Sequence, residues 1–143
     1  MASSFRHPEY LSPNDEPTCR IRCPVHGFIH YSKNERRIID HRLFRRLRLI
    51  RQLALTELLY PGATHTRFEH SLGVMHVATL AFDRLARSNG GVFEEIFKKV
   101  AGFEDDTLAR ARQVLRLAAL LHDVGHGAVF PCDGTCHSQE CRP

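Results

Sequence analysis

From Ser32 to His122 the apolar positions recur every third or fourth residue, the spacing of helices that bury one face. Ser32 followed by Glu35 makes a capping-box pattern at the start of the first of them. Ile38, Ile39, Leu43, Phe44, Leu47 and Ile50 mark its inner side, and Asp40-His41 divides it into two shorter helices. The apolar residues 52–60 run into Pro61-Gly62, a turn signal. A longer helix then starts after Thr66, carries the stripe Phe68, Leu72, Met75, Thr79, Phe82 and Leu85, and stops at Asn89-Gly90-Gly91. Val92, Phe93, Ile96, Phe97 and Val100 predict a short amphipathic helix ending near Gly102. Asp105-Asp106-Thr107 suits the start of the last long helix, where acidic groups meet the positive end of the dipole. Leu108, Ala111, Val114, Leu115, Ala118 and Leu121 form the expected inner face of that helix. Ahead of Ser32, Phe28-Ile29-His30-Tyr31 fits a short strand or extended lead-in. Residues 1–20, rich in Pro, Ser, Asn and Asp, read as a flexible N-terminal arm. The expected class is all-α, with no internal repeat and no second domain.

Candidate chemistry gathers where the last helix ends, at Leu120-Leu121-His122-Asp123-Val124-Gly125-His126-Gly127. Three metal-competent side chains directly after a buried apolar run are costly to desolvate unless something binds them. His122 and Asp123 point about 100° apart on an ideal helix, so both reach one ion only where the helix is ending, and Gly125 supplies that end. The alternative is a helix C-terminus whose solvated histidines are favoured by the dipole. His70, in the first turn of the long helix, reads either as a ligand or as a surface or packing histidine. A second feature is basic: Arg36, Arg37, Arg42, Arg45, Arg46, Arg48 and Arg51 share the outer side of the first helical region. Such a run is a solvated face or an anion-binding face for phosphates or nucleic acid.

Composition narrows the class without choosing between these readings. A chain of 143 residues closes one modest core. No apolar stretch approaches the ~18–20 residues of a membrane span, and the first residues hold no apolar signal core, so the expectation is a cytoplasmic protein without membrane partners. Five cysteines, an odd number, argue against a fully paired disulfide scaffold. A net charge of +4 favours anionic partners mildly.

Taken in order, Pro24-Val25-His26-Gly27, Tyr60-Pro61-Gly62-Ala63, Thr66-Arg67-Phe68-Glu69-His70-Ser71-Leu72-Gly73 and His122-Asp123-Val124-Gly125-His126-Gly127 resemble the HD-domain metal-dependent phosphohydrolases. Within them the resemblance is to the deoxynucleoside triphosphate triphosphohydrolase (dGTPase) branch, and it covers about residues 21–127. It implies an HD-domain-like helical bundle in which His70, His122 and Asp123 are metal ligands. Two imidazoles and a carboxylate suit Mn, Mg, Fe, Co, Ni or Zn alike, so the divalent ion is not fixed. The ion would hold an α-phosphate oxygen and a water. It further implies that His126 touches the phosphate and assists proton transfer, that Arg67 faces the triphosphate, and that Gln52 reads the sugar 3′-hydroxyl. Asp40 and Arg48 align with positions that bind an activating nucleotide in some members. The implied products are a deoxynucleoside and inorganic triphosphate.

The pattern is departed from after Gly127. The family continues with Pro-Phe-Ser-His, whereas this chain reads Ala128-Val129-Phe130-Pro131, so that Pro131 stands where the resemblance implies a second catalytic histidine. A distal aspartate ligand on a later helix falls outside the sequence. The expectation is therefore an HD bundle cut short after the helix carrying His122-Asp123: an arm over residues 1–20, a partial domain over 21–127 and an irregular tail over 128–143. That tail is compatible with an out-of-frame origin. Ala-Val-Phe-Pro-Cys-Asp-Gly can be written GCC GTT TTC CCA TGC GAT GGA, and loss of the first base, with the A that opens the Thr135 codon completing the last triplet, gives Pro-Phe-Ser-His-Ala-Met-Glu. A rival reading makes Cys132, Cys136 and Cys141, with Cys19, Cys23, His26 and His137, a structural zinc site. Little turnover is expected of the chain itself. Two alternatives stand beside the triphosphohydrolase: a non-catalytic fragment that binds a nucleotide or nucleic acid, and an HD phosphohydrolase for another phosphate ester. The expected partners are a deoxynucleoside triphosphate and either a second copy or a full-length relative.

Overall fold

The computed structural model of the chain describes residues 18–102 and 107–127. The tail, most of the arm and the Asp105-Asp106 capping pair lie outside that range. A hairpin comes first, β1 (Cys19–Cys23) antiparallel to β2 (Gly27–Tyr31), with Ile21 opposite Ile29. Its turn closes on Gly27 at φ 74°, a left-handed conformation that costs glycine little. The strand begins at Cys19, inside the stretch read as arm, because alternate residues Ile21, Cys23, Ile29 and Tyr31 pack against the core. This hairpin is a small addition to a helical bundle.

Helix α1 (Lys33–Ile39) is capped as its sequence predicts: the Ser32 hydroxyl accepts from the Glu35 amide, and Glu35 Oε2 accepts from the Ser32 amide at 2.7 Å. Asp40 ends it and His41 caps α2 (Arg42–Arg45), which tightens into a 3₁₀ turn, Arg46–Leu49. A second 3₁₀ turn, Ala54–Leu58, precedes the Pro61-Gly62 turn. Helix α3 (Arg67–Ala101) leaves helical geometry at Asn89 (φ −140°, ψ 38°), where the sequence places a stop, then resumes and ends at Gly102 with φ 65°. Helix α4 (Thr107–Leu121) packs along α3. No helix among the described residues is long and apolar enough to cross a membrane.

The main core joins Ile29, Ile39, Phe44, Leu47, Ile50, Phe68, Leu72, Met75 and Leu120. A smaller cluster forms where Phe82, Ala86 and Ala111 meet Phe93 and Phe97. Two faces differ from the sequence expectation. On α3 the stripe continues from Phe82 to Ala86, while Leu85 is 49% exposed. On α4, Val114 is 56% exposed and Leu121 also faces out, whereas Arg112 and Arg116 are buried. Ion pairing explains that rotation. Arg112 donates to both Asp83 oxygens at 2.8 and 3.2 Å, and Arg116 donates to Glu35 Oε1 and Oε2 at 2.6 and 2.9 Å. Arg116 also donates to Thr79 Oγ1 at 2.7 Å and to the His30 carbonyl at 2.9 Å. Reading only apolar positions cannot find a helix face built on paired arginines.

Candidate metal centre

The site lies where the start of α3 meets the end of α4. Thr66 caps α3 through its own capping box with Glu69, which fixes the first turn and sets Arg67, Phe68 and His70 on defined bearings. Phe68 enters the core, the Arg67 side chain is buried, and His70 faces α4. At the far end, α4 gives way to a turn in which Val124 N–H donates to the Leu121 carbonyl and His126 N–H to the Asp123 carbonyl, each at 3.1 Å.

These two segments bring His70, His122 and Asp123 together, one ligand atom from each lying within 4.8 Å of the others. His122 Nδ1 is 2.7 Å from the Ala119 carbonyl, which only accepts, so Nδ1 carries the proton and Nε2 keeps its lone pair. That lone pair faces His70 Nε2 at 3.3 Å. Burial lowers the His70 pKa, with the neighbouring His122, His65 and Arg67 pushing the same way and Asp123 opposing, so the ring is neutral at neutral pH. Asp123 is 5% exposed. Its Oδ2 accepts from Arg67 Nη1 at 2.9 Å, and its Oδ1 lies 3.5 Å from His122 Nε2 and 3.3 Å from His126 Nε2.

These residues fit a divalent cation. Two imidazole nitrogens about 2.0–2.1 Å from a tetrahedral ion would lie about 3.4 Å apart, close to the separation seen here. The buried Nδ1 of His126 and Nε of Arg67 have no partner among the described residues, as expected where a ligand completes the set.

Gln52 is drawn toward the same region by the backbone. Its amide donates to the His65 carbonyl at 3.1 Å, Arg67 N–H donates to the Ile50 carbonyl at 2.9 Å, and Arg51 bridges Thr66. The Gln52 side-chain oxygen is buried without a partner among the described residues. Beside His70 opens a cavity of about 820 Å³, lined by His26, His65, Glu69, Gly73 and Val77 among others. Asp40 pairs with Arg36 on the surface, and the Arg48 guanidinium lies 3.7 Å over the Phe68 ring. Of the basic run, Arg36, Arg37, Arg42, Arg45, Arg48 and Arg51 are exposed. Arg46 is half-buried and donates to the Val124 carbonyl in the turn that carries the site. Sequence pattern did not separate Arg46 from its neighbours, nor Arg112 and Arg116 from ordinary helix-surface cations. Cys19 and Cys23 are free thiols, and the other members of the rival zinc set, apart from His26, lie outside the described residues.

Residues 67–131, the span that carries His70, His122, Asp123 and His126, match the HD domain family, and this span of the chain belongs to that family. The deoxynucleoside triphosphate triphosphohydrolase SAMHD1 of Bos taurus is 38% identical over 109 residues, covering 75% of this chain and 16% of the relative. An uncharacterised protein of Methanocaldococcus jannaschii is 39% identical over 106 residues, 74% of this chain and 18% of the relative. A crystal structure of a hypothetical protein from Aquifex aeolicus is similar with a TM-score of 0.55 at 35% identity, covering 78% of this chain and 24% of that one. The chain thus spans less than a quarter of the length of each.

Proposed function

We propose that this chain carries the metal centre of a phosphohydrolase of the HD superfamily, and that its substrate is a deoxynucleoside triphosphate. The observation that carries the reading is the convergence of His70, His122 and Asp123, from opposite ends of the domain, on one point. Those three side chains would hold the divalent ion, and their ligand chemistry admits Mn, Mg, Fe, Co, Ni or Zn alike. When bound, the ion supplies Lewis acidity toward a phosphate oxygen and makes water a better nucleophile.

The remaining steps belong to the chain. Arg67 holds Asp123 through Nη1 and keeps Nε for an anionic oxygen, the geometry that suits a guanidinium to a phosphate. His126 has one nitrogen near Asp123 and the other without a partner among the described residues, which suits it to hold a proton at the phosphate. Gln52 offers a side-chain carbonyl oxygen as acceptor for a sugar hydroxyl. Similarity to the Bos taurus triphosphohydrolase supports a deoxynucleoside triphosphate over other phosphate esters. Partners on this reading include a second copy or a longer relative.

Binding of Mn²⁺ to the purified chain, followed by electron paramagnetic resonance, tests the metal reading. His122→Ala and His70→Ala are each expected to weaken it roughly tenfold or more. Binding that neither substitution changes would sink it. With Pro131 at the position of the implied second histidine, dGTP turnover is expected to be slow. Any inorganic product should be triphosphate, and release of pyrophosphate or orthophosphate instead would favour a different HD phosphohydrolase. The exposed arginines favour one second reading, a nucleotide- or nucleic-acid-binding fragment, which requires salt-sensitive binding that is indifferent to metal.

A further inference from the structure

One cation of the basic run is turned inward. Arg46 opens the 3₁₀ turn Arg46–Leu49 and is half-buried, whereas Arg45 and Arg48 on either side of it in the basic run face solvent. Its Nη2 donates to the carbonyl of Val124, 78 residues further along the chain. That carbonyl follows Asp123 directly and sits inside the turn that aims His122, Asp123 and His126. Two backbone bonds close the turn, Val124 N–H to the Leu121 carbonyl and His126 N–H to the Asp123 carbonyl. Both are local, and neither ties the turn to the rest of the domain. Helix ends leave carbonyls without partners, and a guanidinium there meets both the orphan acceptor and the negative end of the dipole. The same 3₁₀ turn grips the other half of the site: Arg48 lies over Phe68, two residues before His70. Leu47 between them is fully buried and anchors the segment in the core.

We infer that Arg46 is a positioning residue for the metal centre: by holding the Val124 carbonyl it fixes the bearing of the turn that presents His122 and Asp123 to His70. This rests on the metal reading above. Groups that orient ligands from behind typically affect metal affinity about 10–100-fold when removed. Arg46 would act in this way although it touches no ligand atom.

The experiment measures Mn²⁺ affinity and thermal midpoint together for the full chain and three variants. Arg46→Met removes the donor and keeps the apolar stem, Arg46→Lys restores one donor, and Phe82→Ala damages the smaller apolar cluster away from both turns. Arg46→Met is expected to weaken Mn²⁺ binding about tenfold or more, and Arg46→Lys to recover part of that loss. Phe82→Ala should lower the midpoint at least as far while leaving affinity within about twofold. Unchanged affinity in Arg46→Met, or an equal loss of affinity in Phe82→Ala, overturns the inference and leaves the metal reading standing. A parent chain that binds no Mn²⁺ overturns both.

Discussion

Asp123 carries the largest burden of any single side chain in the domain. It is a buried carboxylate with Arg67 on one oxygen and two imidazole nitrogens near the other. An ion pair of this kind adds little net stability over an apolar pair, yet removing one member leaves a buried charge alone, at a cost of about 3–5 kcal/mol. Arg67→Met is therefore expected to destabilise the fold by about 3 kcal/mol in urea unfolding. Asp123→Asn should cost less, because the amide keeps an acceptor for Arg67 and removes the charge. If the two substitutions cost the same, the charge is not what Arg67 compensates. His122-Asp123 stands out in sequence as a candidate ligand pair because it interrupts an apolar helix, whereas the residues around His70 leave its role open and only the family resemblance makes it a ligand. The bond between Arg67 and Asp123 was not legible. Nothing in a linear sequence says which of several arginines faces a given carboxylate.

Among the elements, α1 and α4 show how a local rule and a long-range pairing share one residue. Glu35 is the capping-box partner of Ser32 and also the counter-ion of Arg116. The first role is written in the spacing from Ser32 to Glu35, and the sequence reading recovers it. The second joins positions 81 residues apart, and it rotated the inner face of α4 away from Val114 and Leu121. Burial raises the Glu35 pKa, but hydrogen bonds and charge from Arg116 outweigh it, so the net shift is downward. A carboxylate whose folded pKa lies below its unfolded value contributes stability at neutral pH and loses it as pH falls. Stability should therefore decline as pH drops below the ordinary value of 4.5, and Glu35→Gln should flatten that decline in denaturation series run from pH 7 downward. Ser32→Ala removes only the cap and is expected to cost about 1 kcal/mol with no change in the acid limb.

For the molecule as a whole, the two clusters of buried apolar side chains leave a good deal of hydrocarbon outside. Leu49, Leu55, Leu58, Leu59 and Tyr60 are each more than 60% exposed and fall within a dozen residues of one another. Concentrated apolar surface of this kind favours association. Sedimentation is expected to show self-association that rises with concentration, and Leu58→Glu with Leu59→Glu should reduce it. A chain that stays monomeric at high concentration would refute the expectation. The helical class was legible from periodicity and caps. The hairpin was only half legible, since Phe28-Ile29-His30-Tyr31 reads as extended while Cys19–Cys23 carries too little pattern to stand out.

The two imidazoles that face each other at 3.3 Å are 52 residues apart along the chain. A cation shared between them would therefore work as a removable clasp, closing a long loop without a covalent bond. Closing a loop of that length restricts the unfolded chain, and any ligand taken up only by the folded state shifts the folding equilibrium by mass action. The melting temperature should then climb steadily with added Mn²⁺ and fall back on adding a chelator, making heat resistance a direct reading of how full the site is.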